Sequence, residues 1–141
     1  MEIDDNVLIA FFTLLLGIVV IAISALILKL STKILKLKDQ KYTSALKVIS
    51  IVVSISILFD IIIKDLSLLA KIIFSIAEFI LLSLGLMVVL IKKIYQIDWK
   101  ESFKVWGVYL GLSYGIFFIF VIIVVLIGLS LTFIRTITSS L

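Results

Sequence analysis

The chain has 141 residues, of which 64% are hydrophobic, and its formal net charge is +4. Soluble globular domains are only about half apolar, so this composition is typical of a membrane protein. Cysteine and histidine are both absent, which excludes disulfides, haem and iron–sulfur ligation and the usual zinc and copper ligands. We therefore expect no cofactor and no metal site.

Four apolar stretches are candidates for membrane-spanning helices. The first, residues 7–28, contains no charged residue and is long enough to cross the roughly 30 Å hydrocarbon core of a bilayer. It follows an acidic start, whereas a cleaved signal peptide begins with positive charge, so we expect a retained span. The second, residues 45–63, is the shortest, and one arc of about 160° carries its polar side chains and the lysine that follows it: Ser50, Ser54, Ser56, Asp60 and Lys64.

The third stretch, residues 68–91, also has a polar side, which consists of Lys71, Ser75, Glu78 and Gly85. A hairpin folded about residue 66 places Glu78 opposite Ser54. A carboxyl group about 10 Å below the membrane interface is costly when charged, so it should be protonated, paired or near water. We predict a proton- or cation-handling site with four members: Glu78, Ser54, Ser75 and Asp60. The alternative is a neutral carboxyl that only joins the two helices.

The fourth stretch, residues 105–128, begins an uncharged run that continues to Ile134. The whole run would be about 45 Å long as a helix, which exceeds one bilayer crossing. We therefore expect residues 129–141 to form an amphipathic tail on the outer surface of the membrane.

Three glycines in the fourth stretch, Gly107, Gly111 and Gly115, form two overlapping GxxxG units. This spacing lets another helix backbone approach closely, so we predict a helix-packing face. Its partner is either the first apolar helix or another copy of the chain. The same segment also matches the G-x-S-x-G pattern of hydrolases, but that chemistry needs a strand-to-helix elbow and a histidine base, so we expect no enzyme.

Lysines cluster in two links, residues 29–44 and 92–104. Between Lys29 and Lys47 lie six lysines and one acid, and between Lys92 and Lys104 four lysines and two acids, a net charge of +7. Because the lysines lie between membrane-length stretches, they indicate cytoplasmic links rather than a nucleic-acid surface. Both termini are then outside. We expect six lysines to contact anionic lipid head groups: Lys33, Lys36, Lys38, Lys41, Lys92 and Lys93.

A short pattern occurs in both halves of the sequence, starting at Tyr42 and again at Trp99. Each copy has an aromatic residue, then a small residue, a large apolar residue and Lys-Val. The sequence therefore predicts a single all-α membrane domain over residues 1–141. Its four transmembrane helices would form two helical hairpins, related as a parallel repeat about an axis along the membrane normal.

The heavy use of isoleucine and lysine, with twelve lysines to one arginine, resembles multi-pass membrane proteins of AT-rich archaea or bacteria. This resemblance is one of compositional style and assigns no residue a role. From the residues we expect a small protein of the cell membrane that acts as a helix-packing scaffold or accessory subunit, with a homo-oligomer as one form of the association. The alternative is a minimal oligomeric transporter or channel protomer that uses Glu78 as its coupling carboxylate.

Overall fold

A computed structural model of the protein describes residues 5–140. About 90% of the chain is helical, and the described residues contain no strand. The helices are α1 (Asp5–Ile34), α2 (Tyr42–Ile63), α3 (Leu68–Glu78), a π-helical segment (Phe79–Leu86), α4 (Met87–Tyr95) and α5 (Trp99–Ser140). From α3 to α4 the helix is continuous.

Four helices of the described residues are long and apolar enough to cross a membrane: α1, α2, the continuous helix Leu68–Tyr95, and α5. They coincide with the four predicted stretches, so the all-helical fold with four such helices is confirmed. Large apolar side chains cover their surfaces, and Leu68, for example, is 77% exposed. Exposure of this kind suits a helix that faces lipid, and the structure is compatible with a multi-pass membrane protein.

The helices extend beyond the predicted apolar stretches at several ends. Helix α1 continues through charged residues to Ile34, and α5 starts at Trp99 and runs without a break to Ser140. At about 1.5 Å per residue, α5 is about 63 Å long, roughly twice the hydrocarbon thickness. The chain divides into two compact units, one ending at Tyr109 and the other beginning at Leu110.

The buried core of the first unit lies at the end of the helices where the two links are found. Its fully buried members come from all four helices: Ala25 and Leu28 of α1, Ala45 and Val48 of α2, Ile91 of α4, and Val105 of α5. By contrast, α3 has no buried residue. In a membrane, such a core is held by van der Waals packing and interhelical hydrogen bonds rather than by the hydrophobic effect.

The loops that follow α1 and α4 begin with the same backbone turn. Lys36 follows α1 with φ 53° and Gln96 follows α4 with φ 55°, so each residue is in the left-handed region. The next N–H after each donates back over five residues, from Leu37 to the carbonyl of Thr32 and from Ile97 to that of Lys92. This is the Schellman arrangement that ends many helices, and glycine is the residue usually found at its left-handed position.

The residues that open α2 and α5 also correspond. The small residue of the sequence pattern is fully buried in both copies, as Ala45 and as Ser102, and so are the two valines. The Ser102 hydroxyl donates to the carbonyl of Val88, 2.5 Å away on α4. Asp98 caps α5, because its Oδ1 accepts the N–H of Glu101 at 2.8 Å. Asp98 is therefore the N-cap of α5.

Candidate functional site

Glu78 is the last residue of α3 and is half-buried. Its Oε1 accepts a hydrogen bond from the hydroxyl of Ser56 on α2 at 2.7 Å. This contact joins two helices in the part of the unit where few side chains are buried. A hydrogen bond of this kind between two helices can hold them together within a membrane.

The structure does not bring the other predicted members to Glu78. Ser54, expected opposite it, is exposed and donates to the carbonyl of Ser50 at 2.7 Å. Asp60 is exposed. Ser75 is exposed as well, and it lines a mostly apolar cavity beside Lys71 and Phe79.

The predicted pairing of Glu78 with Ser54 is therefore wrong, and the direction of side chains explains the error. In a helix every Cα–Cβ bond leans towards the N-terminus. In an antiparallel hairpin, Ser56 thus leans away from the turn and Glu78 leans towards it. The two side chains therefore meet, even though Ser56 is fewer residues from the turn than Glu78 is. Counting residues from residue 66 alone pairs Glu78 with Ser54 instead.

The π-helical segment begins at the residue after Glu78 and runs for 8 residues. Its i→i+5 hydrogen bonds are rare in proteins and often occur at functional sites. The segment contains no proline and only one glycine, Gly85, so no pattern in the sequence marks it. Its place next to the one carboxylate that bonds across the hairpin makes this part of the helix a candidate site.

The two basic links lie side by side at the core end of the first unit. Five of the six lysines expected to contact lipid are exposed there, namely Lys33, Lys36, Lys38, Lys41 and Lys93. The sixth, Lys92, is half-buried, and its Nζ lies 5.2 Å from the ring centroid of Trp99. This is a cation–π contact, so the positive charge of Lys92 is partly engaged by the Trp99 ring rather than by lipid head groups.

Asp39 is the acidic residue of the first link. Its Oδ2 accepts from the Ser44 hydroxyl at 2.6 Å, and its Oδ1 accepts from the backbone N–H of Lys41 at 3.0 Å. The Ser44 hydrogen bond, together with the Lys41 N–H and the charges of Lys41 and Lys47, lowers the pKa of Asp39 below its ordinary value. The aspartate therefore stays ionised at neutral pH and fixes the link to the first turn of α2.

Two adjoining cavities separate the links, and we call them together the link groove. One, of about 480 Å³, is lined by Lys38, Asp39, Lys41, Ile94, Tyr95 and Gln96. The other, of about 450 Å³, shares Lys38, Tyr95 and Gln96 and extends to Lys36, Asp98 and Glu101. Tyr95 is only 5% exposed, and its hydroxyl has no hydrogen-bond partner among the described residues. No pattern in the sequence indicates this tyrosine, because the groove depends on contacts between links about 60 residues apart.

The three glycines of the predicted packing face are all exposed on α5. A Cβ atom built on Gly107, Gly111 or Gly115 would meet no heavy atom within 4 Å in the described part of the chain. The three positions therefore have room for a closely packed helix.

Comparison with known proteins finds no matching family model, no similar curated protein and no similar solved structure. What is established is an all-helical chain with four described helices that are long and apolar enough to span a membrane. The function of the protein must follow from its own residues.

Proposed function

We propose that the protein is a four-span protein of the cell membrane that acts by association, as a scaffold or accessory subunit, through the glycine face of α5. The observation that carries the proposal is the open space above Gly107, Gly111 and Gly115. In lipid, helices associate through small residues that let two backbones approach closely, and four-residue spacing places these residues on one side. A second copy of the chain offers the same face and is the simplest partner.

The proposed topology places both links in the cytoplasm and both termini outside. Its support is the lysine content of the links, which lie together at one end of the first unit. Loops rich in lysine remain on the cytoplasmic side of a membrane. The other connection of this unit, between α2 and α3, carries one lysine and one aspartate, at positions 64 and 65.

We also propose that the two halves form a parallel repeat of hairpins. The proposal is supported by the left-handed residues Lys36 and Gln96, and by the burial of Ala45 and Ser102 at matching positions. In such a repeat α5 corresponds to α2. Helix α2 packs against two helices, α1 and the continuous helix Leu68–Tyr95. If α5 corresponds to α2, it should likewise have faces for two neighbours, and one of these faces is available to a further partner.

Cysteine cross-linking tests the association, because the natural chain has no cysteine. We expect Gly111→Cys to give a disulfide-linked dimer in native membranes under mild oxidation, since Cα atoms must lie within about 7 Å to be bridged. The control is Ser113→Cys, which lies about 200° around the helix and should remain monomeric on a non-reducing gel. Equal dimer yields from both variants would contradict a specific glycine interface.

A second candidate function, a minimal oligomeric transporter or channel protomer, is favoured by the Ser56–Glu78 hydrogen bond and the π-helical segment that follows it. Carboxylates inside a membrane commonly serve ion or proton pathways. Four helices are few to enclose a path, so this function also needs an oligomer.

Carbodiimide labelling tests the second candidate. A hydrophobic carbodiimide reacts with carboxyl groups in apolar surroundings, and Glu78 is half-buried on a membrane-length helix. If Glu78 binds a transported cation, we expect mass spectrometry to show that sodium protects it from labelling. Glu78→Gln is the control for the site of modification. If sodium does not change the extent of labelling, the role of Glu78 is structural, through its hydrogen bond to Ser56.

A further inference from the structure

We infer that the link groove binds the head group of an anionic phospholipid, with Lys38 and Lys41 holding the phosphate and the Tyr95 hydroxyl donating to it. This inference goes beyond the association proposed above and does not depend on it, because α5 contributes to the groove only at its first turn. The groove lies within the first compact unit, between the two basic links.

The unsatisfied hydroxyl of Tyr95 is the first part of the argument. Burial of a polar group without a partner is unfavourable, so buried tyrosine hydroxyls are usually hydrogen-bonded. Tyr95 lines both cavities of the groove, although its hydroxyl is covered. Lys38 also lines both cavities, and its long flexible side chain can move to let a ligand oxygen reach that hydroxyl.

The charges around the groove are the second part. The cavity beside Asp39 is lined by two lysines, Lys38 and Lys41, and by one carboxylate. Both oxygens of that carboxylate already accept hydrogen bonds, from the Ser44 hydroxyl and the Lys41 N–H. The other cavity has Lys36 and Lys38 opposite Asp98 and Glu101, with one oxygen of Asp98 used to cap α5. The Lys38–Lys41 side of the groove therefore attracts an anion more strongly than the Asp98–Glu101 side.

The position of the groove identifies the anion as a lipid. It lies where α1 and the continuous helix Leu68–Tyr95 end, which is the level of the membrane interface for helices that span a bilayer. Exposed Lys33 and Lys93 belong to the same end and add to the positive surface. Basic pockets between helices at the cytoplasmic interface bind the head groups of anionic lipids.

The test uses the full-length protein in lipid nanodiscs that contain phosphatidylglycerol and phosphatidylcholine. After transfer to a neutral detergent, native mass spectrometry counts the lipids that remain bound. We expect the natural chain to retain phosphatidylglycerol in preference, and Lys38→Gln/Lys41→Gln to retain about tenfold less. The matched control, Lys100→Gln/Lys104→Gln, removes the same charge from two exposed lysines outside the groove and should change retention less than about threefold.

Tyr95→Phe separates lipid binding from folding. It removes only the hydroxyl, so we expect less phosphatidylglycerol to be retained, while the melting temperature in lipid-free detergent is equal or higher because an unpaired buried polar atom is gone. Equal losses of lipid from the groove variant and its lysine control would overturn the inference in favour of a diffuse charge effect. Full displacement of the lipid by glycerol phosphate at equal concentration would overturn it too, since the ligand would then be a soluble phosphate.

Discussion

Replacement of Ala45 by leucine is expected to destabilise the protein by about 3 kcal/mol or more, the largest effect on stability that we predict. Ala45 is fully buried in the core at the link end, in a cluster with Leu28, Val48 and Ile91. The added carbon atoms must push the α2 backbone away from its neighbours, because closely packed helices leave no space for them. In the membrane, packing of this kind holds the helices together, so its loss destabilises the fold.

The measurement is the free energy of unfolding in mixed micelles titrated with a denaturing detergent. Ala77→Leu is the matched control, because the same change is made at an exposed position on α3 and should cost less than about 0.5 kcal/mol. Similar losses for the two variants would mean that the core does not lie at the link end. Ser102 occupies the corresponding position at the start of α5 and is also fully buried.

Gly111→Leu is expected to weaken self-association about tenfold or more, which is about 1.4 kcal/mol or more, and to leave the stability of the monomer unchanged. The branched side chain would hold a partner backbone away from α5. Within the described part of its own chain a Cβ at this position meets nothing within 4 Å, so no clash is expected in the monomer.

Fluorescence energy transfer between labelled copies in liposomes, measured over a range of protein-to-lipid ratios, gives the association constant. Gly128→Leu is the control, because this glycine lies on the same helix, has the same open space and stands outside the row of three. If both variants associate as strongly as the natural chain, the glycine face is not the interface. If Gly111→Leu also lowers the melting temperature of the monomer, the glycine serves packing within the chain.

The parts of the structure that the sequence predicted are those that depend on local patterns. Long apolar stretches with few charges are sufficient to locate four helices, because every backbone polar group in lipid must bond within its own helix. A cap such as Asp98 at the start of α5 is also a local feature, because it needs only four consecutive residues.

The parts that the sequence did not predict depend on how separate segments meet. Ser56 was among the polar residues of α2, but its pairing with Glu78 required the lean of side chains in an antiparallel hairpin. Tyr95 carries no signal in the sequence, and only the approach of the two links shows that its hydroxyl is buried without a partner in the described part of the chain. Neither contact leaves a periodic signal in the sequence.

The π-helical segment determines how the two halves of the helix Leu68–Tyr95 are oriented. In an unbroken α-helix, successive residues are turned by 100°, so the direction of one side chain fixes the directions of all the others. Wider i→i+5 turns use more residues per turn and thus change the angular phase between α3 and α4. Glu78 can therefore keep its bond to Ser56, while Met87, Ile91 and Tyr95 remain in the core. The π-helical segment thus makes the two side-chain directions compatible within one continuous helix.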